Sequence, residues 1–275
     1  MKVDQDYKEQ KYVQKAIVFA ALAVALSFVC VVGALLDAQF GADFVSVLCK
    51  LLIIAGILAY ARYKKECRRL WEGKFLTPFL VLAFVPCVIF SLSVIGTPDS
   101  LPSASVVLLA VLNIATTAVW EELFFRYVGK SLFGKNGSFT YPDFILLTTV
   151  FAAVHLVNML FYSPVSVLLQ TAEAAAAGIF WLALYSKTRN LMVTVTSHFA
   201  LNAVAGLIPL FVARSENRFF DGLEILPVVA VMVFCLSSGS YILIRNGILK
   251  SKKQCVLEAS PLHEFTESEE HHDDQ

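Results

Sequence analysis

The sequence predicts an all-α, polytopic membrane protein, built as a bundle of about eight transmembrane helices. The chain of 275 residues is 57% hydrophobic and only 16% charged, whereas average soluble domains carry about 25% charged residues. Apolar runs recur along it, each long enough to cross a hydrocarbon core of about 30 Å. In lipid these runs must be helical, because no water is present to satisfy an open backbone.

The first apolar run is uninterrupted and lacks a convincing cleavage site, so we interpret it as a membrane span and not as a signal peptide. Most prolines lie near the starts of runs, where a missing N–H is harmless. Pro86 is interior and predicts a kink in the third span. The predicted spans are Ala16–Leu36, Phe44–Ala61, Phe75–Ile95, Leu101–Val128, Phe144–Phe161, Val165–Tyr185, Leu191–Val212 and Leu223–Ile244.

Basic residues lie almost entirely on one side of the predicted bundle. Of the 22 lysines and arginines, all but four lie in the two terminal flanks or in the second, fourth and sixth connections. Because lysine and arginine concentrate in cytoplasmic connections, both termini are predicted to be cytoplasmic. Lys50, inside the second span, could belong to an ion pathway, but we interpret it as a side chain that snorkels to the interface.

The chain divides into a cytoplasmic N-terminus (1–15), a transmembrane helical domain (16–246) and a charged tail (247–275). The tail is basic and then strongly acidic, which predicts a solvated, disordered segment. The six cysteines show no C-x-x-C spacing and are expected to be free thiols.

Acidic and basic side chains interrupt the fourth predicted span. Asn113, Thr117 and Glu121 recur every four residues and form a polar stripe on one helix face. Glu122 and Arg126 are also four residues apart, which predicts an ion pair on an adjacent face.

Two histidines lie inside later spans, His155 in the fifth and His198 in the seventh. Counted from the nearest cytoplasmic boundary, Glu121, His155 and His198 lie at a similar depth of roughly 12–18 Å. Each ionised group near the bilayer centre costs about 2.5–3.5 kcal/mol on insertion scales. Any one of these groups could be a packing residue, but their matched depth favours a shared polar site within the membrane.

Glu173 in the sixth span is a different case. Small residues surround it at Ala172, Ala174, Ala176 and Gly178, which is typical of a helix-packing seam. We therefore favour a structural or supporting role for Glu173.

Three motifs resemble the core of the CAAX prenyl endopeptidase and bacteriocin-processing (CPBP) family of intramembrane proteases. Glu121–Arg126 matches its E-E-x-x-x-R motif, Phe151–His155 its F-x-x-x-H motif and His198–Asn202 its H-x-x-x-N motif. Order and spacing agree over about 110–202, and each motif lies in a separate span. Two departures are Tyr127, where glycine is common and a tyrosine could narrow access, and Thr188-Arg189-Asn190-Leu191 in place of a frequent Thr-Gly-Ser-Leu turn.

The resemblance implies an endopeptidase with a core at about 101–212 that acts on a prenylated or small hydrophobic peptide. Glu121 would be the general base that activates water, and His155 would hold or polarise that water. His198 and Asn202 would donate hydrogen bonds to the oxyanion. Glu122, paired with Arg126, would support the helix face that carries Glu121.

The use of a metal stays open. Glu121, His155 and His198 could form the two-histidine, one-carboxylate set that catalytic zinc uses, and the family is usually labelled metalloprotease. The same groups could activate water unaided, which we favour because Asn202 makes a better oxyanion donor than zinc ligand.

Other function classes are also open: a non-catalytic, immunity-type protein that binds a peptide, or a proton-coupled transporter. The absence of an obvious internal repeat disfavours the transporter. The expected partners are the lipid bilayer and a peptide or protein substrate in or at the membrane, with no nucleic acid. The expected location is the plasma membrane of a bacterium.

Overall fold

The computed structural model describes residues 2–40, 44–65, 84–88, 97–98, 102–133, 139–213, 225–245 and 249–250. These residues are almost all helical, which confirms the predicted all-α fold class. Most of the third predicted span lies outside them. Residues 84–88, which include Pro86, are helical, but this segment is too short to test the predicted kink. The predicted tail lies outside them as well, apart from two residues that form a short strand.

Seven long helices account for most of the described chain. Helix α3 (Ala104–Glu122) continues without a break into a π-helix, Leu123–Val128, and a last α-helical turn, Gly129–Phe133. Helix α4 (Tyr141–Ala153) continues as the 3-10 helix Val154–Leu160. The long helices are α1 (Lys2–Phe40), α2 (Phe44–Tyr63), α3 (Ala104–Glu122), α4 (Tyr141–Ala153), α5 (Pro164–Thr188), α6 (Leu191–Phe211) and α7 (Ile225–Arg245).

In the described part of the chain, six helices are long and apolar enough to cross a membrane, and 191–207 of α6 form a shorter apolar helix. The protein is therefore a polytopic, integral membrane protein. Helix α1 begins at Lys2, well before the predicted start of the first span. The charged residues before the apolar segment include no proline or glycine, so the helix extends through them toward the N-terminus.

Side-chain caps mark where the polar connections meet the helices. Ser163 caps α5 by accepting a hydrogen bond from the backbone N–H of Ser166, and Pro164 occupies the first helical position. At α4, Thr140 and Asp143 form a reciprocal capping box. These caps satisfy N–H groups that have no partner inside their own helix.

A two-residue connection joins α5 to α6. Arg189 adopts the left-handed conformation (φ 53°, ψ 24°) and donates its backbone N–H to the Tyr185 carbonyl. Asn190 then accepts a hydrogen bond from the Met192 N–H at 2.9 Å and so caps α6. The two helices consequently run antiparallel from a short turn, and each places its interior side chains against the other.

The helices pack as neighbouring pairs: α5 with α7, α3 with α6, α1 with α2, α4 with α5 and α2 with α3. The small residues of the predicted seam on α5 are buried at Ala174, Ala176 and Gly178. This burial agrees with a packing role for that face, where Glu173 is half-buried.

Two short backbone pairings tie connections together. Strand β1 (Thr97–Pro98) pairs antiparallel with β3 (Val212–Ala213), and β2 (Phe139–Thr140) pairs in parallel with β4 (Leu249–Lys250). Each pairing joins two segments that the basic-residue pattern assigns to the same side of the membrane.

The expectation of free thiols is confirmed for the four cysteines in the described residues: Cys30, Cys49, Cys87 and Cys235. The other two, Cys67 and Cys255, lie outside the described residues.

Candidate active site

The predicted ion pair between Glu122 and Arg126 is confirmed, at the point where α3 changes to π-helix. Arg126 Nε lies 3.1 Å from Glu122 Oε2, and both side chains are completely buried. The angle at Nε does not make this contact a hydrogen bond, and the other guanidinium nitrogens also have no hydrogen-bond partner among the described residues. The guanidinium carbon lies 4.8 Å from the centre of the Phe151 ring. Arg126 is therefore held by the charge of Glu122 and the aromatic face of Phe151.

Helix α6 brings His198 against both glutamates. His198 Nδ1 lies 3.1 Å from Glu122 Oε1, within hydrogen-bond distance, and Nε2 lies 3.7 Å from Glu121 Oε2. Because the Arg126 charge favours ionised Glu122, which then only accepts, Nδ1 carries the proton of this hydrogen bond. In the neutral ring, Nε2 is therefore a free lone pair that faces Glu121.

Trp181 of α5 fixes the plane of the His198 ring. The two rings are stacked, with centroids 4.1 Å apart and planes 18° apart. The Trp181 indole N–H donates to Ser197 Oγ at 3.0 Å, so the indole is itself anchored to α6. Trp181 precedes the end of α5 by seven residues, and His198 follows the start of α6 by seven. The sequence analysis missed Trp181, although equal spacing about a short turn was a signal that could have found it.

The two neighbouring glutamates have different surroundings. The Glu122 side chain is completely buried and engaged by both Arg126 and His198. The Glu121 side chain retains a relative solvent exposure of 11%, and its Oε2 has no hydrogen-bond partner among the described residues. Glu121 is thus the less enclosed carboxylate of the pair.

His155 contacts the same Phe151 ring as His198 does. Its Nδ1 donates to the backbone carbonyl of Phe151 at 2.8 Å, which leaves Nε2 as the lone-pair nitrogen of the neutral ring. Although His155, Glu121 and His198 are all described, no hydrogen bond or ion pair links His155 to the other two. His155 is half-buried and contacts the Phe151 ring edge to face, at 5.2 Å between centroids.

Phe151 connects these groups. Its buried ring contacts Arg126, His155 and His198, the last edge to face at 6.3 Å. Gly178 of α5 makes room for it, because a Cβ there would lie 2.9 Å from Phe151 Cδ1. The F-x-x-x-H motif therefore contributes its phenylalanine as a packing contact as well as its histidine.

Asn202 lies one turn after His198 and is half-buried. Its side chain makes no hydrogen bond within the described part of the chain, so its amide donors are free. Tyr127, where the sequence departs from the family motif, is buried in the apolar core.

The predicted polar stripe on α3 divides between two environments. Glu121 meets His198, whereas Asn113 turns to α2, where its Oδ1 accepts hydrogen bonds from Ser46 Oγ (3.1 Å) and from Lys50 Nζ. Lys50 is buried, so the prediction that it snorkels to the interface is wrong. The physical reason is that Asn113, on the neighbouring helix, supplies an acceptor for the ammonium group.

The side chains do not form the zinc set that the sequence allows. Within the described residues, no three histidine, cysteine, aspartate or glutamate side chains form a group that could hold a metal ion. Glu121 and His198 face one another, while His155 is engaged by Phe151. The residues as placed do not fit a three-ligand metal site.

Comparison with known proteins finds a family that matches the segment carrying these side chains. The model of a family described as type II CAAX prenyl endopeptidase Rce1-like matches residues 102–204. This segment contains all three motifs and begins just before α3. Searches of curated proteins and of solved structures gave no match. Residues 102–204 are thus Rce1-like, which confirms the resemblance to the CAAX prenyl endopeptidase family that the three motifs predict.

Proposed function

We propose that this protein is an intramembrane endopeptidase that hydrolyses a peptide bond with water activated by Glu121. The observation that carries this proposal is the contrast between the two glutamates. The Oε2 atoms of both side chains have no hydrogen-bond partner among the described residues, but Glu122 Oε2 lies 3.1 Å from the Arg126 Nε in a fully buried ion pair, whereas Glu121 keeps 11% side-chain exposure and faces His198 Nε2 at 3.7 Å. A water molecule that reaches the cluster can give its proton to Glu121 but not to a carboxylate that is already enclosed.

In the first step, Glu121 takes a proton from water, and the resulting hydroxide attacks the carbonyl carbon of the peptide bond. Collapse of the tetrahedral intermediate breaks the C–N bond, and the proton passes from Glu121 to the leaving amine. The free Nε2 of His155 is available to accept a hydrogen bond from the same water. His198 Nε2 lies 3.7 Å from Glu121 Oε2, close enough for both to contact one water.

The oxyanion would be stabilised by Asn202 and His198. Asn202 has free amide donors in the described structure, and preorganised donors of this kind strengthen as negative charge develops. With Nδ1 committed to Glu122, His198 donates from Nε2 only as the imidazolium.

Glu122 and Arg126 would act as the support for this machinery. Their ion pair and the stacked Trp181 hold His198 in one orientation. A fixed orientation lowers the entropy that the reaction must otherwise lose.

The substrate in this proposal is a prenylated or small hydrophobic peptide in or at the membrane, cleaved by a core of about 101–212. The basic-residue pattern supports cytoplasmic termini, with the site reached from the cytoplasmic side of a bacterial plasma membrane. The β1–β3 and β2–β4 pairings support this arrangement, since each joins segments assigned to one side.

The test is Glu121→Gln in purified protein, which keeps the size of the side chain and removes the base. We expect hydrolysis of a confirmed substrate from a library of prenylated and unmodified peptides to fall by a factor of about 10² or more, with the thermal unfolding temperature retained. Cleavage is followed by mass spectrometry. Full activity of Glu121→Gln would show that the assignment of the base is wrong.

Metal analysis of the same preparation distinguishes the two versions of the chemistry. For catalysis by these side chains alone, activity resists a strong chelator and no stoichiometric zinc is found. One zinc per chain, lost in both His155→Ala and His198→Ala, would instead support the metal version.

A further inference from the structure

Helices α1 and α2 are in close contact near the end of the bundle that the basic-residue pattern assigns to the non-cytoplasmic side. Asp37 of α1 accepts hydrogen bonds from the backbone N–H groups of Val45 (2.8 Å) and Ser46 (2.9 Å) at the start of α2. A Cβ on Gly33 would lie 2.9 Å from the Ser46 Cα, so the missing side chain lets the two backbones touch. These contacts fix the register of the two antiparallel helices.

This register places Cys30 of α1 opposite Cys49 of α2. Cys30 precedes Gly33 by three residues, so both lie on the face of α1 that contacts α2. Cys49 follows Ser46 by three residues, which puts it at the same level as Cys30, one turn further into the bundle. The Cys49 Sγ lies 3.3 Å from the position of a Cβ on Gly33, and therefore rests on the α1 surface beside the turn that carries Cys30. The charge of Lys50 interacts with both thiols, in agreement with their lying together.

The two thiols are also more accessible than the other cysteines in the described part of the chain. Cys30 and Cys49 are half-buried, whereas Cys87 and Cys235 are buried. A disulfide requires Cα atoms about 4.4–6.8 Å apart, and the backbone contact one turn away, at Gly33, brings the two helices close enough for that spacing. The pair therefore combines opposed positions, close backbones and access for a small oxidant.

We propose that Cys30 and Cys49 form a modification site, a dithiol that hydrogen peroxide oxidises to an intramolecular disulfide. Peroxide is small and uncharged, so it can reach half-buried thiols inside a membrane span. One sulfur attacks the peroxide, the O–O bond breaks, and the products are a sulfenic acid and water. The second sulfur then displaces the hydroxyl group of the sulfenic acid, which forms the S–S bond and releases a second water. One peroxide and two thiols thus give one disulfide and two waters.

The disulfide clamps α1 to α2. It closes a loop that contains the connection between the helices, and a closed loop restricts the unfolded chain more than the folded one. Helix α2 also carries Ser46 and Lys50, which donate to Asn113 of α3, so the clamp braces the helix that holds the polar stripe. Both cysteines lie outside the segment 102–204 that matches the family, and the site does not depend on the proposed peptidase activity.

Differential thiol labelling of the full chain tests the pairing. Reduced protein is treated with hydrogen peroxide and denatured, and N-ethylmaleimide and dimedone then block free thiols and sulfenic acids. Thiols released by a reductant receive a second maleimide and are located by mass spectrometry. We expect Cys30 and Cys49 to carry the second label in equal amounts, with the protein monomeric on a non-reducing gel. No second label at either position, or a cross-linked dimer that depends on them, would overturn the proposal.

Single substitutions show whether the two thiols react with each other. In Cys30→Ser the second label at Cys49 should be lost, and Cys49→Ser should remove the label at Cys30. Cys235→Ser is the matched control, because this thiol is buried on α7, and it should leave both labels unchanged. A label that persists at Cys49 in Cys30→Ser would assign Cys49 another partner and contradict the pairing.

Thermal unfolding tests the clamp. We expect peroxide to raise the unfolding temperature of the wild type by roughly 5–10 °C, a reductant to reverse the rise, and Cys49→Ser to show none. An unchanged or lower temperature in the disulfide-bonded protein would overturn the clamp. Since neither experiment measures peptide hydrolysis, a failure of the proposed function would leave both results as they stand.

Discussion

The candidate site contains two sets of residues that differ in how completely they are enclosed. The closed set, Glu122, Arg126 and His198, is buried, and Glu122 contacts the other two. The open set, Glu121, His155 and Asn202, keeps partial exposure or free hydrogen-bonding atoms. The two sets share α3 and α6, and the 3-10 helix that continues α4 adds His155 to the open set. In the proposed mechanism, Glu122 and Arg126 hold the geometry, His198 links the two sets, and the open set meets the substrate. Substitutions in the closed set should therefore reduce stability, and those in the open set should reduce turnover.

The largest expected effect comes from breaking the closed set. Glu122→Gln leaves Arg126 buried without a counter-charge, which destabilises by about 3–5 kcal/mol and should reduce expression as well as activity. The measurement is the yield of folded protein and its unfolding temperature. The matched control is Glu122→Leu with Arg126→Met, which removes both charges and should recover much of the stability. Equal loss in both variants would show that packing and not charge is responsible.

A somewhat smaller effect is expected from the open set. Asn202→Ala should lower turnover by roughly 10²–10³, or about 2.7–4 kcal/mol, as for the loss of an oxyanion donor. Its unfolding temperature should hardly change, because Asn202 makes no side-chain hydrogen bond among the described residues. Asn158→Ala serves as the control: this asparagine bonds to Gln170 on an exposed surface, and its loss should leave turnover unchanged. A large drop in the unfolding temperature of Asn202→Ala would place this residue in the closed set.

The smallest effect is expected at a position that belongs to neither set. Arg189 is exposed and adopts φ 53° at the end of α5, a conformation that favours glycine. Arg189→Gly should raise stability by about 0.5 kcal/mol without changing turnover. Thermal unfolding of Arg189→Gly beside Arg189→Ala measures this, since alanine does not relieve the strain. A change in turnover would show that the connection between α5 and α6 acts on the placement of His198.

The Glu122–Arg126 pair was predictable because it depends on one helix. A spacing of four residues brings two side chains together wherever a helix forms, and the apolar runs made helices obligatory. The contact between Glu121 and His198 agrees with their matched depths. Depth is only one of the three coordinates that place a side chain, however. His155 lies at a similar depth, but its ring contacts Phe151 and forms no hydrogen bond or ion pair with Glu121 or His198 among the described residues.

The placement of Lys50 was predicted incorrectly for a related reason. From the sequence, a lysine near the start of a span has an interface within reach of its flexible side chain. Its burial depends on Asn113, which comes from a separate helix. Nothing in the spacing of either residue indicates that α2 and α3 are neighbours.

Local chemistry in the sequence alone determined that this is an all-α membrane protein, the approximate bounds of its helices, the Glu122–Arg126 pair and the family resemblance. These follow from hydrophobicity, helical periodicity and spacing within one element, which require no knowledge of neighbours. Only the tertiary structure decided which glutamate stays open, that Trp181 and Glu122 orient His198, and that Asn113 binds Lys50. Those outcomes depend on the rotation and pairing of separate helices, because burial and hydrogen-bond partners are properties of the packed bundle and not of any one segment.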